Sequence, residues 1–358
     1  VSALRIAVID GDGIGPEVVE GARIVLARAA ETHGVEVEFV PRHLGFPAFE
    51  KYGRTVPEGL VEELRTFDGV VLGPVDHARY PKEDPRYPNP SGTLRKELKL
   101  YGNIRPVRTM PGLPMRFGPV DLVVVRENTE GFYADRNTLD GSSEMRIDED
   151  TVVSMRVVTR RASEEVARVG FELARRRGAT RVTLAHKANV LWRGDGLFLK
   201  VCREVAADYP EITVDDRHVD ALALDLVLDP SRFQVIITTN MFGDILSDEA
   251  AGLVGGLGLA PGLNVGPDVA VAQAVHGSAP DIAGRGIADP IAEILSGQLL
   301  LAHLAGRRAD ERLAAAAAAV TSAVEDAVAD GGILTPDLGG SASTLEFAEA
   351  IADRIRVA

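Results

Sequence analysis

The sequence is short of cysteine, of long apolar runs and of clustered basic charge, and each shortage removes a class of protein. Cys202 is the only cysteine in 358 residues, so no intrachain disulfide can form, and a reducing, cytoplasmic setting is expected. It falls in Leu197-Phe-Leu-Lys-Val-Cys202, a helical stretch where a small core residue is expected. No apolar run reaches the roughly 18 residues of a membrane span. Val1 to Asp10 reads as an apolar strand, without the charged start and cleavage site of a secretory leader. No long Lys/Arg run appears and the net charge is −14, so neither a nucleic acid nor a membrane is an expected partner. An anionic small molecule is not excluded, because a local cluster of arginines reverses the field inside a cleft.

What is present is an ordinary globular composition, 46% apolar and 26% charged. The length argues for two lobes with cores large enough to need no staple. Apolar strands at Arg5–Ile9, Val35–Val40, Gly69–Gly73, Asp121–Val125, Arg181–Ala185 and Val235–Thr239 alternate with helical spacing, which predicts α/β with a largely parallel sheet. Helices are expected after Pro16, over Pro57–Thr66, around Leu94, from a cap at Ser163 to Arg177, over Gly196–Asp208 and Phe242–Leu253, and through most of the tail from Ile291. Residues 74–93 hold five prolines and read as a long functional loop. The polar stretch 134–151 suggests a hairpin arm with a turn at Asp140-Gly141.

Five segments carry chemistry. Gly11-Asp-Gly-Ile-Gly15 resembles a dinucleotide fingerprint, but Pro16 stands where a glycine is required and no acid ends the second strand, so a tight turn is the better reading. Arg95 on a helix, Arg105 before a proline and Arg126 at a strand end would suit a di- or tricarboxylate if they converge, since guanidinium forks bind carboxylates bidentately. Taken singly, each is an ordinary surface arginine. Asp244-Ile-Leu-Ser-Asp248 puts two carboxylates on one helical face. Such a pair raises its own pKa values unless a cation intervenes, and hard oxygen donors suit Mg²⁺ or Mn²⁺; a solvated acidic face is the alternative. Lys187 follows an apolar strand, where neighbouring cations would lower its pKa and let it act as a base. His276-Gly-Ser-Ala-Pro-Asp281-Ile282 is small enough for close backbone approach, with Asp281 able to accept from ribose hydroxyls, or it is a plain surface turn.

Together these segments resemble the β-decarboxylating dehydrogenases: the isocitrate, homoisocitrate, 3-isopropylmalate and tartrate dehydrogenases. The similarity runs from Gly11-Asp-Gly-Ile-Gly-Pro-Glu17 to Thr335-Pro-Asp-Leu-Gly-Gly340. The resemblance implies a two-lobe fold without a standard Rossmann site, the large lobe being 1–101 with 254–358 and the small lobe, with the dimer contact, 102–253. It implies a homodimer with shared active sites. Arg95, Arg105 and Arg126 would hold the malate carboxylates of a small hydroxy acid. Asp244 and Asp248, with Asp220 from the partner subunit, would hold Mg²⁺ or Mn²⁺. Lys187 from the partner would take the C2 hydroxyl proton and Tyr133 would protonate C3. Asn189 and His276, Gly277, Ser278, Ala279, Asp281 and Ile282 would hold NAD, with Asp281 repelling the 2′-phosphate of NADP.

Three departures from the family pattern stand out. Asp289 replaces an asparagine in the adenine contact, and Gln273 replaces a glutamate before the cofactor loop. The stretch before Arg95, Asn89-Pro-Ser91-Gly-Thr93, is polar where isopropylmalate enzymes place leucines, so a polar or anionic C3 substituent is expected. Two other classes are weaker. A non-catalytic subunit of the same fold would lose groups that this chain keeps, and a phosphate-binding module would need Gly-Lys-Ser/Thr in the first loop.

Overall fold

The computed structural model describes residues 3–81, 84–133 and 143–357. The first half of the sheet comes from β1 (Leu4–Ile9), β2 (Val37–Arg42) and β3 (Gly69–Leu72), separated by α1 (Gly15–Thr32) and two short helices, α2 (Phe46–Tyr52) and α3 (Leu60–Leu64). Helix α4 (Pro90–Glu97) leads into β4 (Gly102–Arg108) and β5 (Asp121–Glu127). A small hairpin, β6 (Glu144–Arg146) with β7 (Val152–Ser154), precedes α5 (Arg160–Arg177). Then follow β8 (Arg181–His186), α6 (Gly194–Ala206), β9 (Thr213–His218), α7 (Val219–Leu228), β10 (Val235–Thr238) and α8 (Asn240–Val254). The chain returns through β11 (Leu263–Val265) and β12 (Ala270–Ala272) and ends in α9 (Ile291–Arg308), α10 (Glu311–Asp330) and α11 (Thr344–Ala352).

The main strands form one ten-stranded sheet in the order β2-β1-β3-β12-β11-β4-β5-β10-β8-β9. It is parallel except where β11 meets β12 and β4, and where β4 meets β5. Strands such as Gly69-Val-Val-Leu72 and Val235-Ile-Ile-Thr238 are buried along their whole length, as a sheet covered by helices on both faces requires. Residues 1–101 and 254–358 supply β2, β1, β3, β12 and β11; residues 102–253 supply the other half. The two halves are not separate cores. One apolar cluster joins Leu4 and Val18 to Val123 and Val182. Cys202 lies fully buried within it, and burial pushes its thiol up, away from ionisation. Among the described residues, no helix is long and apolar enough to cross a membrane.

Local chemistry moved several boundaries. Helix α5 is capped by Thr159, whose side chain accepts from the Ala162 amide, and not by Ser163, whose hydroxyl donates back to the Thr159 carbonyl at 2.7 Å; its first turn carries no acid. The expected helix over 57–66 shrinks to Leu60–Leu64, and β2 begins at Val37. Helix α2, opened by Gly45 and a proline in its first turn, has no apolar periodicity long enough to announce it. Helix α4 absorbs the end of the expected loop because Asn89 caps it and Pro90 fits its first position. The hairpin turns at Ile147–Thr151, with a 2.9 Å bond between those residues; the turn expected at Asp140-Gly141 lies outside the described residues.

Candidate active site

Strands β4 and β5 run antiparallel at the middle of the sheet, pairing Asn103 with Arg126 and Arg105 with Val124. Helix α8 leaves β10 beside them and turns Asn240, Asp244, Ser247 and Asp248 toward the two arginines, the i, i+4, i+7, i+8 face of one helix. Close approach requires Gly243: a Cβ there would lie 2.6 Å from the Arg126 Cβ.

Arg126 is 1% exposed. Its Nε and Nη2 both donate to Asn240 Oδ1, at 3.0 and 2.7 Å, and Nη1 donates to Asp244. Arg105 donates from Nε to Asn103 Oδ1 at 2.5 Å and from Nη1 to Ser247 Oγ at 2.6 Å. The same Nη1 stands 3.3 Å from one carboxylate oxygen each of Asp244 and Asp248. The Tyr133 hydroxyl donates to Asp244 Oδ2 at 2.9 Å, and its ring centre lies 5.5 Å from the Arg126 guanidinium.

These contacts decide the charge states. Burial alone would raise Asp244, but Arg126, Arg105, the Tyr133 hydroxyl and Arg95 outweigh it and hold the carboxyl below its ordinary value. Asp248 goes the other way, raised by burial and by Asp244, with Arg105 only partly compensating. Burial, with Arg126 close by, pulls Arg105 down to about 10, so it remains a cation at neutral pH. The expectation that the two acids raise each other therefore holds for Asp248 and is reversed at Asp244 by the arginines.

The arginines and Tyr133 line a cleft of about 250 Å³, together with Asn89, Ser91 and Arg95 of the α4 segment. Gln273, His276 and Gly277 form its other wall. A wider hollow of about 920 Å³ lies between β2, α2 and α3, but its Arg42 and Arg54 are already paired with Glu63 and Glu58. The smaller cleft is where three arginines, Tyr133 and Asp244 converge.

The cofactor segment expected from the sequence forms a loop after β12. The Ser278 carbonyl accepts from the Ile14 amide at 2.9 Å, and a Cβ on Gly13 would lie 2.0 Å from that oxygen. The first glycine loop is thus a packing surface for this segment. Asp12, at its centre, accepts from the amides of Phe46 and Asp76 at 2.7 and 2.8 Å and from the Tyr80 hydroxyl, tying the loop to the cleft wall. Ala279 has a left-handed φ of 38°, Ile282 is half-buried and Asp281 is exposed. The His276 ring stays neutral because burial lowers its pKa. Its Nδ1 lies 3.0 Å from the Gly277 carbonyl, which only accepts, so Nε2 is an acceptor; it is buried and has no hydrogen-bond partner. A cofactor amino or hydroxyl group would fill that vacancy, so the segment fits a nucleotide. Asp289 is buried, with one oxygen accepting from the Ile291 amide at 2.9 Å and the other without a partner. Burial and the nearby Asp337 push its pKa well up, at the head of α9.

Three expected site residues lie elsewhere. Lys187 pairs with Asp220 at 2.5 Å, and Asn189 is exposed beside it; none of the three lines the cleft of its own chain. The Lys187 amide is held by Asp195, itself paired with Arg156 at 2.6 Å. Sequence reasoning missed Asn103, Asn240 and Ser247, and it noted Gln273 only as a departure before the cofactor loop, not as part of the cleft wall. Only Asn240 and Ser247 had a readable signal, their helical spacing with Asp244 and Asp248.

The family model for isocitrate/isopropylmalate dehydrogenase matches residues 5–351. The chain belongs to that family. It is therefore an oxidoreductase among the NAD-linked decarboxylating dehydrogenases. It is 44% identical to the 3-isopropylmalate dehydrogenase of Archaeoglobus fulgidus over 97% of this chain and 98% of that one. It is equally, 44%, identical to the isocitrate/homoisocitrate dehydrogenase of Thermus thermophilus, over 99% of each. The crystal structure of isocitrate dehydrogenase from Methylococcus capsulatus superposes with a TM-score of 0.86, at 43% identity over 99% of each chain. Relatives with different substrates are thus equally similar, and the choice among substrates falls to the cleft.

Family members use a divalent metal, and the acidic pair fits one. Asp244 and Asp248 direct one oxygen each at a single point, 3.3 Å from both, where a cationic nitrogen of Arg105 now stands. Among the described residues no three His, Cys, Asp or Glu side chains come close enough to hold a metal, so two donors here await others.

Proposed function

We propose that the protein oxidises and decarboxylates a 3-substituted malate whose C3 group is polar or anionic, an isocitrate-like substrate, using NAD and Mg²⁺ or Mn²⁺. The observation that carries this is the donor character of the α4 segment. Asn89 lines the cleft and uses its side-chain oxygen to cap α4, accepting from Gly92 at 3.1 Å, so the cap does not use its NH₂ group. The Ser91 hydroxyl and the Arg95 guanidinium complete a wall of donors. An isopropyl group there would offer no acceptor to the Asn89 amide or the Ser91 hydroxyl, and a buried polar group left unsatisfied costs roughly 1–3 kcal/mol.

In this reading Arg95, Arg105 and Arg126 grip the malate carboxylates, and Asn240 and Asn103 hold Arg126 and Arg105 in orientation. Asp244 and Asp248 hold the divalent cation, with Asp220 of the partner subunit as the further ligand. Held by these residues, the cation would supply Lewis acidity toward the C2 oxygen, and NAD would supply the hydride acceptor. Lys187 of the partner subunit takes the C2 hydroxyl proton. Tyr133, held by Asp244, delivers a proton to C3 after CO₂ departs. Asn189, His276, Gly277, Ser278, Ala279 and Ile282 bind NAD, Asp281 excludes a 2′-phosphate by its charge, and Asp289 supports the adenine end.

A homodimer belongs to this reading, supported by the position of Lys187 and Asp220 outside the cleft and by exposed Leu228 and Ile245 on α7 and α8. In the same reading, 1–101 with 254–358 form the large lobe and 102–253 the small lobe, with the cleft between them. The single buried cysteine suits a cytoplasmic setting. The test is NAD reduction with Mn²⁺ across isocitrate, homoisocitrate, 3-isopropylmalate and tartrate. The highest kcat/KM is expected with isocitrate or homoisocitrate, and a preference for 3-isopropylmalate over both overturns the substrate reading.

A further inference from the structure

Gln273 follows β12 and reaches across the cleft wall to two other elements. Its Nε2 lies 3.2 Å from the Gly73 carbonyl at the end of β3, and 3.3 Å from Ser91 Oγ in the first turn of α4. Its Oε1 is 3.5 Å from the same hydroxyl, the weaker contact. A backbone carbonyl only accepts, so the amide nitrogen must face Gly73. That fixes the amide, and its NH₂ group then stands beside Ser91 as a donor. A hydroxyl that accepts one hydrogen bond keeps its own proton for another partner. The Ser91 proton is left for the cleft, where the C3 substituent would sit.

We infer that Gln273 is a positioning residue that sets Ser91 as a hydrogen-bond donor and thereby selects substrates whose C3 group carries an acceptor, a carboxylate above all. The inference rests on the substrate reading of the preceding subsection. A carboxylate at this position would reverse the arrangement. It would accept from Ser91, turn the Ser91 lone pairs toward the substrate, oppose the Gly73 carbonyl without a proton between them, and add a negative charge where an anionic substituent is seated. Only the first two of these act through Ser91, so the serine is the handle that separates polarity from charge.

The test measures kcat and KM for isocitrate and 3-isopropylmalate in the wild type, Gln273→Glu, Ser91→Ala and the double variant. Gln273→Glu is expected to lower the isocitrate-to-isopropylmalate ratio of kcat/KM by about tenfold or more, mainly through the isocitrate KM, the scale of a hydrogen bond to a charged group. Made in the Ser91→Ala background, the same change should move that ratio less than about one third as far. Equal losses on both substrates, or an undiminished effect without the Ser91 hydroxyl, overturn the inference. If Gln273→Glu does not fold, Gln273→Met removes the donor without adding charge and is read by the same ratio. A wild type that prefers 3-isopropylmalate defeats the substrate reading instead, while the ratio relative to wild type still decides the role of Gln273.

Discussion

Arg126 shows how much of the site depends on one side chain. It is buried, so its charge is tolerable only because Asn240 and Asp244 occupy its fork. Arg126→Lys keeps the charge but loses the planar fork, and kcat/KM is expected to fall at least ~100-fold while the protein remains folded, as steady-state kinetics and circular dichroism will show. Tyr133 is a different case. Its hydroxyl bonds Asp244 but supports no buried charge alone. Tyr133→Phe should lower kcat by about 10²-fold or more and leave KM within a few-fold, if the phenol donates a proton in the reaction. An unchanged kcat removes it from the chemistry.

Elements carry the site through two close approaches. Helix α8 rests on β5 at Gly243, where an added methyl would meet Arg126 carbon atoms at 2.6 and 2.7 Å. Gly243→Ala is expected to destabilise the protein by about 1–3 kcal/mol in denaturant unfolding and to depress activity further, because α8 must shift with its aspartates. Helix α9 bears on the cofactor loop through Glu293, whose carboxyl accepts from the Ala274 amide at 2.9 Å. Burial raises this carboxyl from 4.5 to about 8 in the folded chain. The folded state therefore binds the extra proton. The contribution of Glu293 to stability is complete below pH ~4.5, declines as pH rises toward about 8 and is gone above it. Glu293→Gln should flatten that decline in unfolding free energies measured across pH, and an unchanged slope assigns the pH dependence to another group.

At the scale of the whole molecule, the cleft is half of a site in the proposed reading. Lys187 and Asp220 bond to each other and line no part of their own chain's cleft. Lys187→Ala and Asp244→Asn homodimers should each be nearly inactive. Mixed, dissociated and reassembled, they should recover about a quarter of wild-type activity, since half the dimers are hybrids with one complete site in two. No recovery in hybrids confirmed by mass would show that each chain works alone and would remove the shared site.

The sequence alone determined what local periodicity and turn chemistry control. The buried strands, the parallel tendency, Pro16 at the start of α1, the helical tail and the one-face spacing of Asp244 and Asp248 all follow from neighbours a few residues apart. Element ends set by capping competition, as at Thr159 and Asn89, were less legible, and three-residue strands such as β11 and β12 carry too short a pattern to read. Tertiary structure decided what depends on distant pairing: that Arg105 bridges two aspartates more than a hundred positions away, that Arg95 adds its field at Asp244, that Asp289 is buried with its pKa pushed up, and that Gln273 touches Ser91. A side chain's hydrogen-bond polarity and pKa depend on whatever the fold brings beside it and how far water is excluded, and neither quantity is written in the residues on either side.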